Sequence, residues 1–135
     1  MRITLCGSAR FEAEFKTWMR LLTLSGHTVY GLAANPSDMG DKDWMNDEQK
    51  TTLDLVHLDK ILNSSCVVVI CPLGYIGFST HREIEWAYMQ GRSVYFTESP
   101  KMEIDMPLPF AHANTLLSVN LDWSELRDSA TPAGL

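Results

Sequence analysis

The sequence predicts a single-domain, three-layer α/β sandwich, Rossmann-like or flavodoxin-like, around a mostly parallel sheet of about five strands. Three observations carry this. Residues 66–71 read Cys-Val-Val-Val-Ile-Cys, a continuous run with no polar face, as a strand buried on both sides requires. Segments of strand and helix character alternate along the chain, which favours parallel strands joined by helical crossovers. Glycine-bearing loops follow both the first strand and the valine-rich strand. In open parallel sheets, ligands bind beyond those carboxyl ends.

Arg2 to Cys6 reads as the first strand. Phe11, Phe15, Trp18, Met19 and Leu22 fall near helical spacing, so 11–24 is an amphipathic helix, with Trp18 in the core. Ser25-Gly26-His27 closes it with the glycine expected after a helix. Thr28 to Leu32 is the second strand, and 33–47, with Asn35-Pro36-Ser37-Asp38, is a loop. Asp47 to Asn63 is the second helix, with Leu53, Val56 and 58–62 as its apolar positions. After the valine-rich strand and its loop, Ser79 to Gln90 is the third helix, Trp86 facing the core and Gly91 closing it. Ser93 to Thr97 is the fourth strand, and 98–109, with three prolines, is a loop. Residues 110–113 suggest a short helical turn and 115–119 a fifth strand. The last ten residues, 126–135, read as a frayed tail, leaving 1–125 as the domain.

The 135 residues suit one core. Seventeen acidic against eleven basic residues give a net charge of −6. That argues against a nucleic-acid polymer as partner, because neutralising a phosphate backbone needs a basic surface. It leaves room for one small anion held by local donors. No apolar run reaches the ~20 residues of a membrane span, and the first five residues are too short for a signal segment. The three cysteines, Cys6, Cys66 and Cys71, are odd in number and lack zinc-ligand spacing. Reduced thiols in a cytoplasmic protein are expected.

Two loops carry candidate chemistry. The first is Cys6-Gly7-Ser8-Ala9-Arg10. Gly7 lets a ligand approach the backbone, Ser8 offers a hydroxyl, and Arg10 offers a planar fork for an oxyanion. The same residues also fit a plain glycine turn with a serine cap. The second loop runs from Gly74 through Tyr75 and Gly77 to Ser79-Thr80-His81-Arg82-Glu83. Thr80 and Glu83 have capping-box spacing, which would explain both structurally. Alternatively, Ser79 and Thr80 hold a ligand while Glu83 faces it. Tyr75 suits stacking on a base or packing on the sheet edge. On the second helix, His57, Asp54 and Asp59 are titratable. His57 fits a half-buried surface position and Asp59 fits pairing with a lysine.

With these loops in hand, the sequence resembles the nucleoside 2-deoxyribosyltransferase-like superfamily, which includes 2'-deoxynucleoside 5'-phosphate N-hydrolases and small phage and bacterial relatives. The resemblance spans residues 1–97. It rests on Cys6-Gly7-Ser8-Ala9-Arg10, on His57-Leu58-Asp59-Lys60-Ile61 leading into 66–71, and on 77–84 with Ala87 and Gly91. It implies an N-glycosidic reaction at the Glu83 carboxylate, as nucleophile or as stabiliser of a cationic sugar. His57 or Asp59 would assist. Gly7, Ser8, Arg10, Tyr75, Gly77, Ser79 and Thr80 would bind the substrate, a small nucleotide or nucleoside. The resemblance implies no cofactor, no metal, and a homodimer or higher homo-oligomer. Gly77 and Cys66 stand where the superfamily pattern has aspartates. The donors at Ser8, Arg10, Ser79 and Thr80 favour a 5'-monophosphate and its hydrolysis. Transfer to a second base, or nucleotide binding without turnover, are the alternatives.

Overall fold

The computed structural model of the chain describes residues 1–32, 46–101 and 111–118. Four parallel strands form one sheet in the order β2-β1-β3-β4, with β1 Arg2–Gly7, β2 Thr28–Tyr30, β3 Cys66–Ile70 and β4 Ser93–Phe96. Three helices cover it: α1 Glu12–Leu24, α2 Asp47–Leu62 and α3 Phe78–Met89. No helix among the described residues is long and apolar enough to cross a membrane.

All five residues of β3 are buried, and they alternate between two cores. Cys66, Val68 and Ile70 pack with Ile3 and Leu5 of β1 against Phe15, Trp18 and Leu22 of α1. Val67, Val69 and Cys71 pack on the other face with Cys6, against Ile61 of α2 and Ile84 and Ala87 of α3. The valine-rich run is therefore the middle layer of the sandwich. Pairing Cys6 with Val69 and Gly7 with Ile70 sets the carboxyl ends of β1 and β3 side by side. Strand order reverses between these two strands, so the crevice expected of such sheets opens there.

Gly7 is required at that junction. Its φ is +149°, and a Cβ there would lie 2.7 Å from the Ile70 carbonyl oxygen and 3.2 Å from Phe15 Cζ. Ser8 caps a 3-10 turn, Ala9–Phe11, that precedes α1, so the helix begins at Glu12 rather than Phe11. The second strand ends at Tyr30. In α2 the buried positions are His57 and Ile61, four apart, while Val56, expected on the apolar face, is exposed. Asn46 opens this helix with a capping box to Gln49. Trp18 is buried as expected. Trp86 lies at the core margin, its indole N–H donating to the Leu58 carbonyl at 3.3 Å.

The fifth strand expected at 115–119 does not form over its described residues. Ala113–Leu116 is a 3-10 turn instead, displaced from the helical turn expected at 110–113. The reason is local hydrogen bonding. His112 Nδ1 accepts from the Asn114 N–H at 3.1 Å, and the Thr115 hydroxyl donates to the His112 carbonyl at 2.8 Å. Such side-chain bonds compete with a strand ladder. What remains of sheet character is one parallel bridge between His112 and Phe96. Most of the loops expected at 33–47 and 98–109, and the tail at 126–135, lie outside the described residues.

Ile84 is fully buried where α3 meets the sheet. Ile84→Ala is expected to cost about 2–5 kcal/mol of unfolding free energy, measured by urea denaturation.

Candidate active site

Cys6, His57 and Glu83 converge although they lie on β1, α2 and α3. Alternation along β1 sends Ile3 and Leu5 to the α1 core and Cys6 to the opposite face, where α2 and α3 pack. Cys6 Sγ lies 3.5 Å from His57 Nε2. His57 Nε2 lies 3.7 Å from Glu83 Oε2. That oxygen is buried and makes no hydrogen bond. Glu83 also lines a cavity of about 190 Å³, together with Asp54, Leu58, Ser79, Arg82, Glu85, Trp86 and Met89.

The electrostatics follow from this burial. Desolvation pushes the Glu83 carboxyl up to about 7; the Cys6 thiol opposes the shift and the charge of Asp54 adds to it. At neutral pH this carboxyl is therefore poised between its two forms, rather than being simply anionic. Burial holds His57 down at about 4, assisted by Lys60 and opposed by Asp54, so its imidazole is neutral. Burial, with Glu83 beside it, pushes the Cys6 thiol well above its ordinary value.

The capping role available to Thr80 and Glu83 is not taken. Gly77 occupies the cap of α3 without a side-chain hydrogen bond, and Thr80 sits buried inside the helix. Thr80 is thus packed in the first turns rather than presented to a ligand. Ser79, by contrast, is exposed on the cavity wall. His57 is buried, not half-exposed on the surface. Asp59 is exposed and follows His57 by two residues, about 200° around the helix, so it does not join the cluster. Asp54, three residues before His57 and on the same face, is the carboxylate that does reach the cavity.

A second, larger cavity of about 570 Å³ lies beside the carboxyl ends of β1 and β3. It is lined by Arg10, Phe11, Pro72, Leu73, Gly74, Tyr75, Ile76 and Lys101. Arg10 is held in place: its Nε donates to Ser8 Oγ at 3.2 Å, one terminal nitrogen donates to Tyr75 Oη at 3.0 Å, and its guanidinium lies 4.4 Å from the Tyr75 ring centre. Ser8 both caps its turn and orients Arg10. A Cβ on residue 77 would lie 3.3 Å from Tyr75 Oη, so that the exposed tyrosine would have to shift slightly, and in ordinary contact with its ring at 3.7–3.8 Å. In the same loop Leu73, exposed, has φ +57° and its N–H donates to Glu98 Oε2 at 3.1 Å.

Among the residues that line or join these cavities, Asp54 is marked in the sequence only as a titratable group of the second helix, and Cys6 and Lys101 carry no chemical expectation there. For Cys6, the two-residue period of β1 was the available signal; for Asp54, the three-residue spacing to His57. Lys101 falls in a proline-flanked loop and carries no local pattern.

No protein-family model matches this sequence, and no curated protein matches it by sequence. Among solved structures, the chain is similar to a 2-deoxyribosyltransferase from the psychrotolerant bacterium Bacillus psychrosaccharolyticus. The TM-score is 0.60 at 18% identity, and the match covers 93% of this chain and 96% of that one. It is also similar to the CMP N-glycosidase of Clostridium botulinum, with a TM-score of 0.47 at 22% identity over 71% of this chain and 70% of that one. The parallel α/β fold expected from the sequence is the fold that this chain shares with the 2-deoxyribosyltransferase.

The raised Glu83 carboxyl has a measurable cost. Because its folded value exceeds the ordinary 4.5, the stability it contributes is present below about 4.5 and lost as pH rises through about 7. His57 acts oppositely, losing stability as pH falls from about 6.5 through 4. Glu83→Gln removes only the first effect. Relative to wild type, the variant is expected to gain about 3 kcal/mol between pH 4.5 and pH 8, measured by denaturation at both pH values.

Proposed function

We propose that the protein is a nucleotide N-glycosidase that hydrolyses the base–sugar bond of a (deoxy)nucleoside 5'-monophosphate. The observation that carries this is Glu83: a largely buried carboxylate with an unbonded oxygen, on the wall of a cavity between α2 and α3. The fold shared with a 2-deoxyribosyltransferase supports it.

In the proposed reaction the ionised Glu83 attacks the anomeric carbon. A carbon–oxygen bond forms as the glycosidic bond breaks, and the electron pair leaves with the base, which takes up a proton. Water then attacks the same carbon, returns Glu83 to its carboxylate and frees the sugar phosphate. Glu83 suits this step because a desolvated carboxylate attacks without first shedding a hydration shell, and a cationic sugar favours its charged form. Asp54, which shares the cavity wall with Glu83 and Glu85, handles the proton of the base or of the water. Neutral His57 borders Glu83, its Nε2 lying 3.7 Å from Oε2.

The larger cavity takes the rest of the substrate. Arg10 and Lys101 supply positive charge for a 5'-phosphate in a chain that is acidic overall, and Tyr75 and Phe11 supply aromatic surface. We also infer a homo-oligomer in the cytoplasm. Exposed Leu55 and Met89, on the two helices beside the Glu83 cavity, are apolar surface that a second copy would cover.

The test is base release from a panel of ribo- and deoxyribonucleoside 5'-monophosphates and the matching nucleosides, followed by chromatography. Glu83→Gln, correctly folded, is expected to lower the rate by about three orders of magnitude or more. No release by wild type, with and without an acceptor base, would sink the catalytic claim; release only with acceptor would make it a transferase. Arg10→Ala is expected to raise KM for the monophosphate roughly 10- to 100-fold, the worth of a charge-assisted hydrogen bond. It should leave the matching nucleoside nearly unaffected. An equal effect on both would remove Arg10 from phosphate binding.

A further inference from the structure

We propose that Cys6, His57 and Glu83 bind a single borderline-soft divalent cation of the Zn²⁺ kind, and that its presence blocks the carboxylate. Their ligating atoms all lie within 4.8 Å of one another. Two separations are 3.5 Å, from Cys6 Sγ to His57 Nε2, and 3.7 Å, from His57 Nε2 to Glu83 Oε2. Zinc–sulfur bonds of about 2.3 Å and zinc–nitrogen or –oxygen bonds of about 2.0–2.2 Å, at tetrahedral angles, place adjacent ligand atoms about 3.3–3.6 Å apart. Two edges of the coordination polyhedron are thus close to length before any ion enters. Thiolate, imidazole and carboxylate together are a zinc-type donor set.

Two independent observations point the same way. Glu83 Oε2 is buried without a hydrogen-bond partner, a costly state for a carboxylate oxygen that a cation relieves. The cavity beside it is lined by Asp54, Glu83 and Glu85 against the single cation Arg82. The excess of carboxylates on this wall favours cations beside Glu83. On binding, a metal–sulfur bond forms, the thiol proton passes to solvent and hydration waters leave the ion. Nothing is oxidised or reduced. The Glu83 oxygen engaged by the metal is then unavailable to attack carbon. Binding stands without the glycosidase proposal; inhibition rests on it.

The experiment is a Co²⁺ titration of chelator-treated protein, followed by absorption, with Zn²⁺ as competitor. One cation per chain is expected, with a thiolate-to-cobalt charge-transfer band and tetrahedral d–d bands that Zn²⁺ erases. Cys6→Ser should lose the charge-transfer band. Glu83→Gln, which keeps side-chain size and so guards against misfolding, should weaken binding at least about a hundredfold. Cys66→Ser and Cys71→Ser should behave as wild type. Absence of a cobalt spectrum in wild type, or a charge-transfer band that survives in folded Cys6→Ser, overturns the site. In parallel, base release is measured with and without Zn²⁺. Activity suppressed by Zn²⁺ and restored by chelator supports the inhibitory role; activity indifferent to bound Zn²⁺ overturns it. Cobalt binding in a protein that never releases base defeats the glycosidase proposal and leaves the metal site standing.

Discussion

β3 must be dry on both faces, and the rest of the chain answers that demand. Its side chains alternate between two cores, so helices have to lie on both sides of the sheet. Its neighbour β1 inherits the same alternation, sending Ile3 and Leu5 one way and Cys6 the other. The helices that cover the second face, α2 and α3, bring His57 and Glu83 over Cys6. The polar cluster is therefore a by-product of closing an apolar layer, placed where strand order reverses and a crevice cannot be avoided.

Burial then determines what the cluster can do. A carboxyl at the surface would titrate in its usual range, its anion solvated by water. Glu83, largely enclosed, is pushed up to about 7, while His57 is pushed down to about 4. The two cannot form a charged pair at neutral pH without opposing both shifts, so the imidazole stays neutral beside a carboxylate of raised basicity. Destabilisation of this kind is retained where it serves chemistry.

Most of the layer order was legible in the sequence, because 66–71 leaves a strand nowhere to go but the middle and the glycines mark its neighbours' ends. The site was legible in part. Arg10 and Tyr75 lie in glycine-bearing loops, where local pattern has meaning, and Glu83 sits in the helix that follows one of them. Cys6 and His57 meet across fifty-one residues, and no local pattern encodes a meeting at that distance. The sequence leaves His57 and Asp59 both open; helical phase puts Asp59 away from the Glu83 cavity and Asp54 on its wall. The fifth strand failed for the opposite reason: His112, Asn114 and Thr115 bond among themselves more readily than an isolated segment pairs with a sheet.

Arg10 illustrates what a fold can do in advance of binding. A free arginine side chain samples many rotamers, and a ligand that captures it must overcome that freedom. Here Ser8, Tyr75 and the aromatic ring already confine the guanidinium. The ordering entropy is lost once, during folding, instead of at each encounter. A fork held at one angle favours oxyanions that arrive in matching orientation and gives up the adaptability of a loose one. In the proposed phosphate site, selectivity among anions would thus be set by a tyrosine hydroxyl and a serine oxygen that need never touch the ligand.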